Sequence, residues 1–236
     1  MLPPPERVAL EKEFYAYWGV DRELVDAALA RRAAVAKSFK PVEPSRLLQD
    51  GDVLDIPGFS LEVVHTPGHC PDEVIYWQPE GRVIFSGDHL LPNITPVCLL
   101  QIPRSRDEAR ARSLVEYQQS LAKVAPYPAR VTYPSHGPPI DDHRELMASY
   151  HLSTDRRLLK ISRILQKEEW MSPMDIGKAL FPKAWKEQMV PVMSEVLGHC
   201  DVLEAGGHAA SEDRDGVIHY RYISTPPPTD TRRLFG

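Results

Sequence analysis

With 236 residues, 42% hydrophobic and 26% charged, the chain has an ordinary soluble globular composition and suits one large domain or a medium and a small one. No apolar run approaches the roughly 18 to 20 residues of a membrane span, "MLPPPERVALEKEF" has no secretory apolar region, and a net charge of −5 gives no reason to expect nucleic acid as the main partner. Three scattered cysteines, Cys70, Cys98 and Cys200, form no CxxC motif and cannot all pair, which argues against a disulfide framework and favours a reducing, cytoplasmic setting.

Residues 5 to 38 read as two helices broken near Gly19, the second opening with Asp21 as cap and Glu23 in its first turn. Turn chemistry at Asp50-Gly51-Asp52 and Pro57-Gly58 brackets short strand-like runs. "SLEVVHT", "EVIYWQ" and "RVIFSGD" follow, with a Pro-Glu-Gly turn at 79–81 between the last two. They are short and rich in β-branched and aromatic residues, as sheet strands are. "SRDEARARSLVEYQQSLAKV" is expected to be a helix with Leu114, Tyr117 and Leu121 at core spacing, and "ARVTYPSHG" another strand. A long helix should begin at "DDHRELMASYHL", capped by Asp141, and run to about Gln166. To Tyr150 the order is helix, strands, helix, strand, helix, an α/β layer.

The last third changes character. "DRRLLKISRILQKE" is amphipathic, with Leu158, Ile161 and Leu165 on one face. "SPMDIGKALF" opens with a serine cap and a proline in the first helical position. "AWKEQMVPVMSEVLGHCDVLEAGG" is a third helix ending in glycines, and "HAASEDRDGVIHYRYIS" a hairpin turning at Asp215-Gly216. Three helices and a hairpin in this length describe a winged helix over residues 152–224. Its ten Lys and Arg against eleven Asp and Glu, and an acidic third helix, speak against tracking phosphates, so it reads as a packing and dimerisation element. The tail, 225–236, is Pro-rich and expected to be mobile.

Three turns carry the chemistry: "HTPGH" ending at His69, "FSGDH" with Asp88, and "YPSHGPP" with His136. Each follows a strand and holds a glycine beside the candidate ligand, so the backbone can turn tightly and project the side chain into a common cleft. Imidazole plus carboxylate suits zinc, iron or manganese.

In this order, with a helical region after Asp88, "TPGH", "SGDHLLP" and "PSHGPPIDDH" resemble the second half of the metallo-β-lactamase fold. The nearest branches are the hydroxyacylglutathione-hydrolase-like enzymes and the beta-lactamase-like endoribonucleases, which also append a small winged helix. The resemblance runs from about Glu13 to Ser224. It implies an α/β chain: an αββα sandwich, N-terminally incomplete, over 1–151, followed by the winged helix over 152–224. By the same resemblance His69 is the third histidine of a first metal site, Asp88 the carboxylate bridging two metals, and His136 the last histidine of the second site. The metals of such an enzyme polarise a carbonyl or phosphate and activate a bridging hydroxide.

One departure is large. The family's His-x-His-x-Asp-His motif, which supplies four ligands, is absent, since none of the nine histidines stands in a His-x-His. Either the protein is truncated or its first residue here is internal to a longer one. Each half-site is then left with two ligands, whereas one ion midway could recruit all three. "HCPDE" brings Asp72 and Glu73 to the cleft, as site residues or as surface carboxylates, and His89 is expected to support a ligand from behind. His65 reads as a packed histidine, and Cys70 as a small buried residue or a soft ligand. A sandwich without its first strands exposes a sheet edge and an apolar face, so a homodimer is expected. Hydrolysis of a small-molecule thioester or ester is favoured over RNA cleavage, because only Arg156, Arg157, Lys160, Arg163 and Lys167 cluster as bases. The rival reading is a non-catalytic interaction protein.

Overall fold

The computed structural model describes residues 5–40 and 42–230. The contacts of these residues divide into two units, one built from residues 46–99, 112–157 and 227–230, the other from residues 5–40, 42–45, 100–111 and 158–226.

The first unit is organised by a five-stranded sheet in the order β1 (Val53–Ile56), β2 (Phe59–His65), β3 (Val74–Gln78), β4 (Val83–Gly87) and β5 (Val131–Pro134). Neighbours pair antiparallel as far as β4, and β4 pairs parallel with β5. That parallel step needs a crossover, which the helix α3 (Ser113–Val124) provides. Two reversals followed by a parallel pairing leave β2, β4 and β5 running in one direction, so their C-terminal ends share one edge of the sheet. This shared edge collects the three turns picked out above.

One face of the sheet is closed. Val64, Ile75, Trp77 and Ile84 are buried there, and the Trp77 ring meets Tyr127 edge-on at 5.4 Å. On α3 the buried residues Leu114, Tyr117, Leu121 and Val124 recur every three to four positions. Each such fully buried side chain contributes about 2 kcal/mol. The helix α4 (His143–Leu165) begins at an aspartate, but the capping residue is Asp142 and not Asp141. Its Oδ1 accepts from the backbone N–H groups of Arg144 and Glu145, at 2.9 and 3.0 Å. In the tail, Thr229 donates through N–H and hydroxyl to Asp155 at 2.7 and 2.8 Å, and residues 231–236 lie outside the described part.

The second unit gathers α1 (Pro5–Tyr17), α2 (Arg22–Ala36), α5 (Pro173–Leu180), α6 (Met189–Ala205) and the hairpin β6 (Ala209–Arg214)–β7 (Val217–Tyr222). Tyr15, Trp18, Val20 and Val25 from the first helices share one core with Leu158, Ile161, Leu165 and the buried residues of α5 and α6. Asp21 occupies the N-cap of α2 without a side-chain capping bond. Ser172 caps α5 as expected, its Oγ accepting from Asp175 N–H. The helix α6 starts at Met189 rather than at Ala184, which leaves Pro191 in the first turn, where no backbone donor is required. Residues Asp215 and Gly216 turn the hairpin with φ of 54° and 78°, the conformation an Asp-Gly pair adopts readily.

The expected helix from Ser105 is shorter: it begins at Ser113. Residues 104–111 are held instead by ion pairs, Arg106 with Glu13 and Arg110 with Asp201, and by Glu108 accepting from Arg104 N–H at 2.6 Å. Among the described residues no helix is long and apolar enough to cross a membrane.

Candidate metal centre

His69, Asp88 and His136 come together at the shared strand edge. His69 Nε2 lies 3.5 Å from one carboxylate oxygen of Asp88, and His136 Nε2 lies 3.7 Å from the other. The imidazoles therefore flank the carboxylate on its two sides. Ser135 Oγ–H donates to the oxygen on the His136 side.

The local sequence explains each placement. Gly68 precedes His69 with φ +149°, and a Cβ there would lie 2.5 Å from Tyr117 Cβ and 2.7 Å from its Cα. Only glycine lets the turn press this closely against α3. Gly87, at φ +54°, stands where the β4–β5 register shifts and the chain leaves the sheet toward Asp88. Around these turns the buried hydroxyls act as clamps. Tyr117 O–H donates to His89 O at 2.8 Å, and the Tyr150 hydroxyl donates to Leu91 O at 2.6 Å while accepting from Leu91 N–H at 2.7 Å. Ser120 Oγ–H donates to Pro67 O at 2.8 Å, fixing the other turn to α3.

His69 is also oriented from behind. Its Nδ1–H donates to Val97 O at 2.8 Å, so in the neutral ring Nε2 carries the lone pair and aims it at Asp88. A lone pair facing a carboxylate is repulsive unless a proton or a cation lies between them. The donor set thus has the character of a cation site.

The other sequence candidates are distributed around this group. Glu73 is buried, and its carboxylate accepts from the backbone N–H of Asp88. Burial, and then the neighbouring Asp88 charge, push its carboxyl up to about 7 despite that bond. Asp72 is exposed. His89 is wholly buried, with its ring edge-on to Tyr117 at 5.2 Å and neither ring nitrogen hydrogen-bonded, and burial pushes it down to about 3. It is a neutral packing residue beneath Asp88. His65 donates through Nε2 to Pro71 O at 2.8 Å. Cys70 is half-buried, with its thiol raised by burial and then by Glu73.

Sequence reasoning missed Ser135 and the Val97 carbonyl. Ser135 could have been found, since it stands inside the "PSH" turn, but Val97 lies 28 residues from His69 and offers no side-chain signal.

A family model described as the metallo-beta-lactamase superfamily matches residues 4–136, more than half of the chain. The chain belongs to this superfamily. It is 29% identical over 159 residues to the probable metallo-hydrolase YqjP of Bacillus subtilis, covering 67% of this chain and 49% of that one. It is 26% identical over 197 residues to the atrochrysone carboxyl ACP thioesterase AgnL7 of Paecilomyces divaricatus, covering 78% and 58%. Among solved structures, a beta-lactamase domain protein from Burkholderia ambifaria superposes with a TM-score of 0.67 at 28% identity, over 78% of this chain and 54% of that one. The chain spans about half the length, or less, of the first curated relatives it matches.

Against the two-metal centre of the superfamily's hydrolases, the residues present fall short. Three ligands cannot furnish two catalytic ions with three protein ligands each. As the side chains stand, no three His, Cys, Asp or Glu among the described residues are gathered closely enough to hold one ion. The set is a partial one, pre-oriented but open.

Proposed function

We infer that this chain carries part of the metal centre of a cytoplasmic hydrolase acting on a small-molecule thioester or ester. The observation that carries the reading is the pair of imidazole Nε2 atoms on the two oxygens of Asp88, one of them held in its tautomer by the Val97 carbonyl. In this reading His69, Asp88 and His136 are ligands to zinc, iron or manganese, and ligands beyond these three complete the centre. Glu73 and Asp72 border the cleft, and His89 packs beneath it. The thioester class is supported by AgnL7, whose name is that of a thioesterase, and by the absence of basic residues from the three motif turns. The helices α5 and α6 with the β6–β7 hairpin support a winged helix over residues 152–224, whose core also takes in Tyr15, Trp18, Val20 and Val25 from the first helices.

A second reading, a non-catalytic interaction protein, is favoured by the missing His-x-His-x-Asp-His motif and by the half-exposed apolar face of the sheet. One experiment separates the two. Thiol release from acyl thioesters is followed for the chelator-treated chain reloaded with zinc, manganese or ferrous iron, beside Asp88→Asn. Metal-dependent turnover that Asp88→Asn abolishes supports the hydrolase. Turnover absent with every metal, from a protein that also fails to bind them by calorimetry, leaves the interaction protein.

A further inference from the structure

Two ligands that share one small divalent ion stand at a set separation. For zinc bonds of about 2.0–2.2 Å at a tetrahedral angle, that separation is roughly 3.3–3.5 Å. His69 Nε2 lies 3.5 Å from Asp88, close to this value. The sheet alone does not produce the match. His69 follows β2 and Asp88 follows β4, and β3 lies between those strands. The two turns therefore leave the sheet roughly 10 Å apart. With Nδ1–H bonded to Val97 O, the neutral imidazole also turns a lone pair toward the carboxylate, which pushes the two apart. The spacing has to be held from outside the donors.

The helix α3 is placed to hold it. Ser113, Tyr117 and Ser120 recur on it at intervals of four and three, so they share one face. Ser120 Oγ–H donates to Pro67 O at 2.8 Å, in the His69 turn. Ser113 Oγ–H donates to Leu99 O at 3.0 Å, and Leu99 N–H in turn donates to His69 O at 3.2 Å. Tyr117 stands between these two serines and touches both ligand turns. Gly68, just before His69, packs so closely against Tyr117 Cα and Cβ that no side chain fits between them. The Tyr117 hydroxyl donates to the carbonyl of His89, just after Asp88, at 2.8 Å. Its ring is 2% exposed and meets the His89 ring edge-on, so the reach from backbone to hydroxyl cannot adjust.

We propose that Tyr117 is a positioning residue for the metal centre, a rigid buried spacer that sets the distance between the His69 turn and the Asp88 turn. The proposal rests on the reading of His69 and Asp88 as metal ligands. The hydroxyl is the part that does the positioning. Phenylalanine at 117 keeps the ring against Gly68 and loses the bond to His89 O, while the buried Leu114, Leu121 and Val124 still seat the helix. The Asp88 turn is then free to drift from His69 with the rest of the fold in place.

The test compares Tyr117→Phe with Val124→Ala, a core truncation on the same helix that lowers stability without removing a hydrogen bond. One reading needs no metal. Amide exchange of the full chain is followed at His89 N–H, which donates to Ser86 O at 3.0 Å, beside the amides of β3 and β4. The other is cobalt(II) titration of chelator-treated protein, read from visible absorption. In Tyr117→Phe, exchange at His89 should quicken about tenfold relative to the strand amides, and cobalt affinity should fall about tenfold. In Val124→Ala the amides should quicken together, and cobalt affinity should match that of the unaltered chain. An unmutated chain that takes up no cobalt contradicts the hydrolase reading, and the amide ratio still decides whether Tyr117 sets the turn. Exchange at His89 that keeps pace with the strands in Tyr117→Phe overturns the proposal. So does cobalt bound equally well by Tyr117→Phe and the unaltered chain, or a Val124→Ala variant that behaves like Tyr117→Phe in both readings.

Discussion

Asp201 on α6 is almost fully buried, with 2% of its side chain exposed, and it pairs with the guanidinium of Arg110, at 15%. The guanidinium meets the two carboxylate oxygens in a fork at 2.9 and 2.5 Å and donates once more to Ala111 O at 3.0 Å. Asp201→Asn keeps the shape of this contact but leaves a buried arginine without its counter-charge. Breaking a buried pair from one side costs about 3–5 kcal/mol, because the remaining charge stays desolvated. For a chain of this size each kcal/mol moves the melting temperature by roughly 2–4 °C, so the expected loss is about 6–20 °C. Differential scanning calorimetry reads it directly. The double variant Arg110→Met/Asp201→Leu removes both charges and should recover most of the loss, since a pair exchanged for apolar side chains is often neutral. If Asp201→Asn melts within about 2 °C of the unaltered chain, the pair is behaving as a solvated surface bridge and the reasoning from its burial is wrong.

Other consequences follow from the site. In chelator-treated protein Glu73 has a folded pKa of about 7, above its ordinary 4.5, so between those values the folded state holds the extra proton and stability falls as pH rises through the window. Glu73→Gln should flatten that part of the stability–pH curve and gain at most about 3 kcal/mol at pH 8 over the unaltered chain, measured by urea titration at several pH values. Gly68→Ala places a methyl group 2.5 Å from Tyr117 Cβ, and chemical denaturation should show a loss on the order of 2–3 kcal/mol; a neutral result would mean the turn can lift off α3. Ser135→Ala removes the hydroxyl bonded to Asp88 and should weaken metal affinity about tenfold with no change in melting temperature, as isothermal calorimetry would reveal.

Much of this arrangement was legible in the sequence, for reasons that differ by element. The strands from Phe59 to Gly87 announce themselves through β-branched and aromatic runs between turn residues, and the hairpin through Asp215-Gly216. The turns that bring His69, Asp88 and His136 together were visible as strand ends that carry a glycine beside a histidine or aspartate. What escaped was tertiary in origin. The stretch from Ser105 to Arg112 has helical composition, yet its arginines are drawn to Glu13 and Asp201, partners 93 and 91 residues away. Glu73 looks like a surface residue in "CPDEV" and is buried only because the β3 strand begins there, beneath Asp88. The sharing of one core by Trp18 and the C-terminal helices leaves no local mark in either segment.

The most direct test of the central claim is the number and affinity of metal ions held by the chain, taken from elemental analysis after chelator-free purification and from zinc titration of the stripped protein. The expected result is no more than one ion per chain, weakly held, and lost in Asp88→Asn. Two tightly bound ions, or one that survives Asp88→Asn, would contradict it.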